Sequence, residues 1–200
     1  MRIVGAHNLE SRGTRYMSLL VDEELAIDAG SLASGLTFEE QARLSAVLLS
    51  HGHYDHVRDV PAVGLSLFSM GRHLSVLGES DVLNMLRSHW INGTTYPRLH
   101  EMPAEEPTLQ FHSISPGESF ELSGKVITPT RMNHTIASLG FRIEDGKGRV
   151  MFYTSDTGPL PPTFWEGVSA DLLIAEVTMP NAWQESAISA GHLTPELLKR

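Results

Sequence analysis

The sequence predicts an α+β protein in which packed β-sheets are flanked by helices. Three observations point there. Short apolar runs of strand length recur along the chain. Turn residues divide several of them into antiparallel hairpins. Capped or periodic helical stretches are interspersed among them. The 200 residues suit one globular domain, and 41% hydrophobic with 20% charged residues is the balance of an ordinary packed protein.

Taken in order, residues 16–21 read as a strand, and residues 25–27 as its hairpin partner, with Asp28-Ala29-Gly30 turning away. Thr37-Phe38-Glu39-Glu40 has the form of a capping box opening a short helix. Residues 45–50 are a short apolar run, the mark of a buried strand. Residues 61–70 predict a helix, 74–77 a strand, and 80–90 a helix with Ser80 as its N-cap. Residues 91–107 carry three prolines and little periodicity, so they read as a loop. Strands are predicted over 108–114, 119–122, 125–129, 138–143, 149–154 and 171–177, with Asp145-Gly146-Lys147-Gly148 as a hairpin turn. A last helix is predicted from Pro195 to Arg200. No internal repeat, low-complexity tract or charge block interrupts the chain.

Composition narrows the function. No apolar run approaches the length of a membrane-spanning helix, so no membrane partner is expected. The N-terminus lacks the apolar core of a signal peptide, and a cytoplasmic location is the default expectation. Cysteine is absent, so a metal must be held by His, Asp or Glu. The net charge is −9 with basic residues scattered singly, which disfavours a long nucleic acid partner. A small anionic substrate is compatible with that charge when metal ions supply the positive field.

The strongest chemical signal is the run His51-Gly52-His53-Tyr54-Asp55-His56, directly after the buried strand of residues 45–50. Alternate residues 51 and 53 can face one ion, while Asp55 and His56 turn toward a second. Imidazole and carboxylate donors suit zinc, with manganese or iron as alternatives. The plainer readings are a His-rich surface loop or a closed structural site; structural zinc sites are usually cysteine-rich, and this chain has no cysteine.

This run resembles the signature of the metallo-β-lactamase superfamily. The resemblance implies a four-layer αββα sandwich of two mixed sheets flanked by helices, forming a hydrolase domain over residues 1–200. Further matches follow in order. Asp28 resembles the family's aspartate at the end of an early strand, which orients a metal ligand from behind. His134, in Met132-Asn133-His134-Thr135, resembles the third ligand of the first metal. Asp156, in Thr154-Ser155-Asp156-Thr157-Gly158, resembles the carboxylate that bridges two ions. The implied metal ligands are therefore His51, His53, Asp55, His56, His134 and Asp156, in a binuclear site.

Gly191-His192-Leu193-Thr194-Pro195 resembles a segment of the class II 3′,5′-cyclic-nucleotide phosphodiesterases, and also one of the tRNA 3′-processing endonuclease RNase Z. Residues 91–97 and the segment Glu176-Val177-Thr178-Met179-Pro180-Asn181 are loosely similar to the same phosphodiesterases. RNase Z usually inserts a long tRNA-holding arm between the counterparts of His134 and Asp156. Here residues 135–155 read as a plain hairpin.

The resemblance implies a phosphodiester hydrolase acting on 3′,5′-cyclic nucleotides or related small phosphodiesters, with water activated between two divalent ions. Asp55 and His192 are its catalytic candidates, Asp55 accepting a proton and His192 protonating the leaving oxygen. A capping or core role is the plainer reading of His192. Trp90 or Tyr96 could stack on a base, and loop packing is the plainer role of both. The alternatives are another hydrolase of the superfamily (an RNase Z-like nuclease, or an enzyme acting on a thioester, lactone or lactam) and an inactive metal-binding paralogue. A monomer and a homodimer both remain open. The family supplies one more histidine to the second metal beyond the Gly-His-Leu-Thr-Pro segment. The chain reaches only Arg200, so the expectation is a missing C-terminal end or a weakened second site; His7 and His112 have no motif support as substitutes.

Overall fold

The computed structural model describes residues 1–199. Arg200, the final residue of the last expected helix, lies outside the described residues. The chain divides into two compact units, Met1–Ile114 and Ser115–Arg200. Among the described residues no helix is long and apolar enough to cross a membrane.

The first unit is built on a six-stranded mixed sheet. Its strands are β1 (Arg2–Gly5), β2 (Ser18–Val21), β3 (Leu25–Ile27), β4 (Ala46–Leu48), β5 (Leu74–Gly78) and β6 (Leu109–Ser113), adjacent in that order. β1, β2 and β3 pair antiparallel, and β3 to β6 pair parallel. β4 lies in the parallel part and is buried on both faces, which is why its sequence reads as an unbroken apolar run.

Five helices join these strands: α1 (Leu32–Gly35), α2 (Phe38–Gln41), α3 (Tyr54–Val57), α4 (Val60–Ser69) and α5 (Ser80–Met85). The Thr37 capping box is present, with Thr37 Oγ1 accepting from Glu40 N–H and Glu40 accepting from Thr37 N–H. Pro61 sits in the first turn of α4, where a missing N–H costs nothing, and Val60, Val63 and Leu67 are buried in the core.

The helix expected over 80–90 is real but irregular. α5 gives way to a π-helical turn over Leu86–Trp90. Ser80 is not its cap. Glu79 takes that position, and the Ser80 hydroxyl bonds Ser113 Oγ on β6 at 2.7 Å instead. A partner distant in sequence has claimed the hydroxyl that local reasoning assigned to the helix end.

The second unit carries a five-stranded mixed sheet in the order β11-β10-β9-β8-β7. The strands are β7 (Phe120–Leu122), β8 (Lys125–Arg131), β9 (Leu139–Asp145), β10 (Val150–Tyr153) and β11 (Leu172–Ile174), all antiparallel except the β10–β11 pair. β8 runs past Pro129 because the proline nitrogen falls beyond the last β7 pairing, on the side where its carbonyl accepts from Gly117 N–H. The Asp145 turn joins β9 to β10 as expected. Helices α6 (Pro162–Glu166), α7 (Gln184–Ala190) and α8 (Pro195–Leu198) complete the unit, with Thr194 capping α8. β11 is shorter than the sequence suggests. After Ile174 the chain leaves the ladder, and the Glu176 carboxylate accepts from the N–H groups of Thr157 and Thr178.

Candidate metal centre

The first unit presents one group of donors. β4 ends at Leu48, and three residues later the buried His51 begins the donor run. The run is a loop only as far as His53, which serves as the N-cap position of α3. Asp55 and His56 lie in that single helical turn. The turn is clamped by the segment after β3: Ala29 N–H donates to the His56 carbonyl. Gly30 approaches so closely that a Cβ there would lie 1.9 Å from the Asp55 carbonyl oxygen. Glycine is required at position 30 by this approach.

A buried polar network fixes the rings. Asp28, at φ 58° in the left-handed region, accepts from Ser50 N–H at 2.9 Å and from Ser50 Oγ at 3.0 Å. Asp28 Oδ2 also lies 2.7 Å from His56 Nδ1. Ser50 gives its only proton to Asp28, so at His51 Nδ1, 3.0 Å away, it accepts. The network thus assigns the Nδ1–H tautomer to both His51 and His56, which leaves each Nε2 as the lone-pair-bearing nitrogen. His51 Nε2 lies 3.1 Å from His53 Nδ1, and His56 Nε2 lies 3.7 Å from Asp55 Oδ2.

The second unit presents another group. His134 Nδ1–H donates to the Gly191 carbonyl at 2.9 Å, leaving Nε2 at 3.9 Å from Asp156 Oδ2. Gly191 ends α7 at φ 70°, and a Cβ there would come within 2.9 Å of His134 Nδ1. Asp156 follows Ser155, a non-glycine residue at φ 55° whose buried hydroxyl has no hydrogen-bond partner. Strained backbone of this kind persists where the surroundings over-determine it, often at functional sites. His192 Nδ1 bonds Glu176 Oε1 at 2.8 Å and lies 3.9 Å from Asp156 Oδ2. Asp156, Glu176 and His192 each offer a donor atom within 4.8 Å of the others.

Comparison with known proteins settles the family. Residues 28–198 match the family described as the beta-lactamase superfamily domain. The chain belongs to that superfamily. Among solved structures it is similar to the metallo-β-lactamase fold protein YhfI from Bacillus subtilis, with 20% identity, TM-score 0.77, and 96% of this chain and 76% of that one covered. It is similar to the human tRNase Z short form, with 19% identity, TM-score 0.71, and 98% and 84% covered. It is similar to unliganded yeast PDE1, with 14% identity, TM-score 0.82, and 98% and 79% covered. At these identities the likeness establishes the fold, which is α+β with two mixed sheets and flanking helices. No curated protein matches the sequence.

For a member of this superfamily, the donor chemistry fits divalent metal. The donor atoms are nitrogen and oxygen, and their spacings of 3.1 to 3.9 Å match ligands sharing an ion at about 2.0–2.2 Å. The hydrogen bonds on the far ring nitrogens of His51, His56 and His134 fix tautomer and orientation, as outer partners of metal-binding histidines do. Within the first unit the fold gathers His51, His53, Asp55 and His56; within the second it gathers His134, Asp156 and His192. Sequence reasoning assigned no role to Glu176, Ser50 or the Gly191 carbonyl. Glu176 stood in a segment that resembled the phosphodiesterases, yet nothing local marked its carboxylate as the partner of His192. Tyr96 packs against the core of the first unit, and Trp90 packs against Tyr54.

Proposed function

We propose that this chain is a metal-dependent phosphodiesterase acting on 3′,5′-cyclic nucleotides or related small phosphodiesters. The observation that carries the reading is the hydrogen-bonded pair of His192 and Glu176 in the second unit. Glu176 fixes the proton on Nδ1 and stabilises the ring when it is doubly protonated. His192 Nε2–H is then the donor to the leaving oxygen. Phosphodiester cleavage needs such a donor, because an alkoxide leaves poorly.

The ligand set we propose is His51, His53 and His134 for one ion, Asp55 and His56 for another, and Asp156 for both. The ions, zinc in our reading, would supply Lewis acidity that makes water nucleophilic near neutral pH and offsets charge on the phosphoryl oxygens. Asp28 and Ser50 hold the His56 and His51 rings. Asp55 accepts a proton from the attacking water. The net charge of −9 supports a small anionic substrate over a long nucleic acid.

The test is a substrate panel on the zinc-loaded protein. Turnover of bis(p-nitrophenyl) phosphate and 3′,5′-cyclic AMP, with none of thioester or lactone substrates, is the expected outcome. The reverse pattern would move the activity to another branch of the superfamily.

A further inference from the structure

Tyr54 stands inside the donor run, between His53 and Asp55, and opens α3. The residue is 50% exposed. It meets Tyr16 edge-on at 5.7 Å and 90°, and Trp90 at 5.5 Å with planes tilted by 40°. The Arg58 guanidinium lies 4.8 Å over the Tyr16 ring and is itself held by Glu10 and Asp59.

The other end of the row is equally fixed. Trp90 closes the π-helical turn Leu86–Trp90. Such turns are rare and occur frequently at functional sites. α5, which leads into this turn, packs on the donor run, since a Cβ at Gly52 would lie 3.4 Å from the methyl of Met85, its last residue. Rings that served only to brace the loop would be expected to close over one another and leave water. Here the middle residue of the aromatic row stays half exposed, one position from two of the donors.

We infer that Tyr54 and Trp90 form a stacking shelf for the planar base of a nucleotide phosphodiester. The inference rests on the phosphodiesterase reading and adds the part of the substrate remote from phosphorus. Every base has a π-face, so an aromatic shelf accepts purines and pyrimidines alike. It discriminates base-bearing from base-free phosphodiesters, not one base from another.

Of the three tryptophans, Trp90 becomes the sole reporter when Trp165→Phe and Trp183→Phe are introduced together. Titrating that zinc-loaded variant with 5′-AMP is expected to quench Trp90, and ribose 5-phosphate is not. Adding Tyr54→Leu is expected to weaken 5′-AMP binding about tenfold, and Tyr54→Phe to preserve it. No quenching, an equal response to ribose 5-phosphate, or undiminished affinity in Tyr54→Leu would overturn the shelf.

If any variant fails to fold, the unsubstituted chain tests the shelf through 2-aminopurine riboside 5′-phosphate, whose fluorescence falls when its base stacks. Cyclic AMP hydrolysis is measured alongside. Quenching without hydrolysis would keep the shelf and defeat the phosphodiesterase reading. Hydrolysis without quenching would defeat the shelf alone.

Discussion

Asp28 and His56 lie 28 residues apart in sequence and share a 2.7 Å contact between Oδ2 and Nδ1, with both side chains almost fully buried. Asp28 adopts a left-handed backbone to reach this position, and asparagine tolerates the same conformation. Asp28→Asn therefore keeps the turn and removes the charge that orients the ring. It is expected to weaken zinc binding roughly 10–100-fold, read by competition with a chromophoric chelator. Unaltered affinity would mean that Asp28 serves folding alone.

Under the proposed mechanism, substitutions at His192 and Glu176 separate catalysis from metal binding. His192→Ala is expected to lower kcat for 3′,5′-cyclic AMP, whose leaving group is an alkoxide, by about 100-fold or more, with zinc content unchanged by atomic absorption. Glu176→Gln is expected to lower it less, since the ring remains. Loss of zinc in the histidine variant would instead make His192 a ligand, which its closeness to Asp156 permits.

Asp156→Ala is expected to lose metal and activity together. Retained zinc at the level of the unsubstituted protein would defeat its assignment as a shared ligand.

Gly191 combines a left-handed φ with a carbonyl that holds His134. Gly191→Ala is expected to cost about 1–3 kcal/mol of stability from the backbone alone. It should also weaken metal binding, because the new methyl meets the His134 ring. Thermal melts with and without zinc separate the two effects, and a larger loss of Tm in the zinc-loaded protein is the expected pattern.

Acid sensitivity has a separate source at the β9–β10 turn. Bonds from the Arg149 side chain, then from the backbone N–H groups of Arg149 and Lys147, hold the Asp145 carboxyl down to about 2. A carboxylate with a depressed folded value stabilises the protein above its unfolded value and loses that contribution as pH falls through the folded one. Asp145→Asn is therefore expected to flatten the dependence of Tm on pH between about 4 and 2. A dependence unchanged from the parent would place the acid response elsewhere.

Much of the first unit was legible because its signals are local. β4 shows a run buried on both faces, α2 shows its capping box, and the donor run places four candidate ligands within six consecutive positions. His134 and Asp156 became legible only through family order, since each alone looks like an ordinary residue. Elements of a single turn, such as α1 and α3, are too short to show periodicity, and β1 is a four-residue strand before an irregular loop. The π-turn at Leu86–Trp90 carries the same residue types as an α-helix, so spacing could not reveal it. Glu176 was illegible for another reason. Its role comes from the chain leaving β11 early to place a carboxylate beside a histidine 16 residues away.

The most direct test of the central claim joins metal content and hydrolysis of 3′,5′-cyclic AMP on one purified, zinc-loaded sample. The account predicts close to two ions per chain, cyclic AMP turnover, and loss of both in Asp156→Ala. Zinc bound at that level with no turnover of cyclic AMP or bis(p-nitrophenyl) phosphate would contradict it.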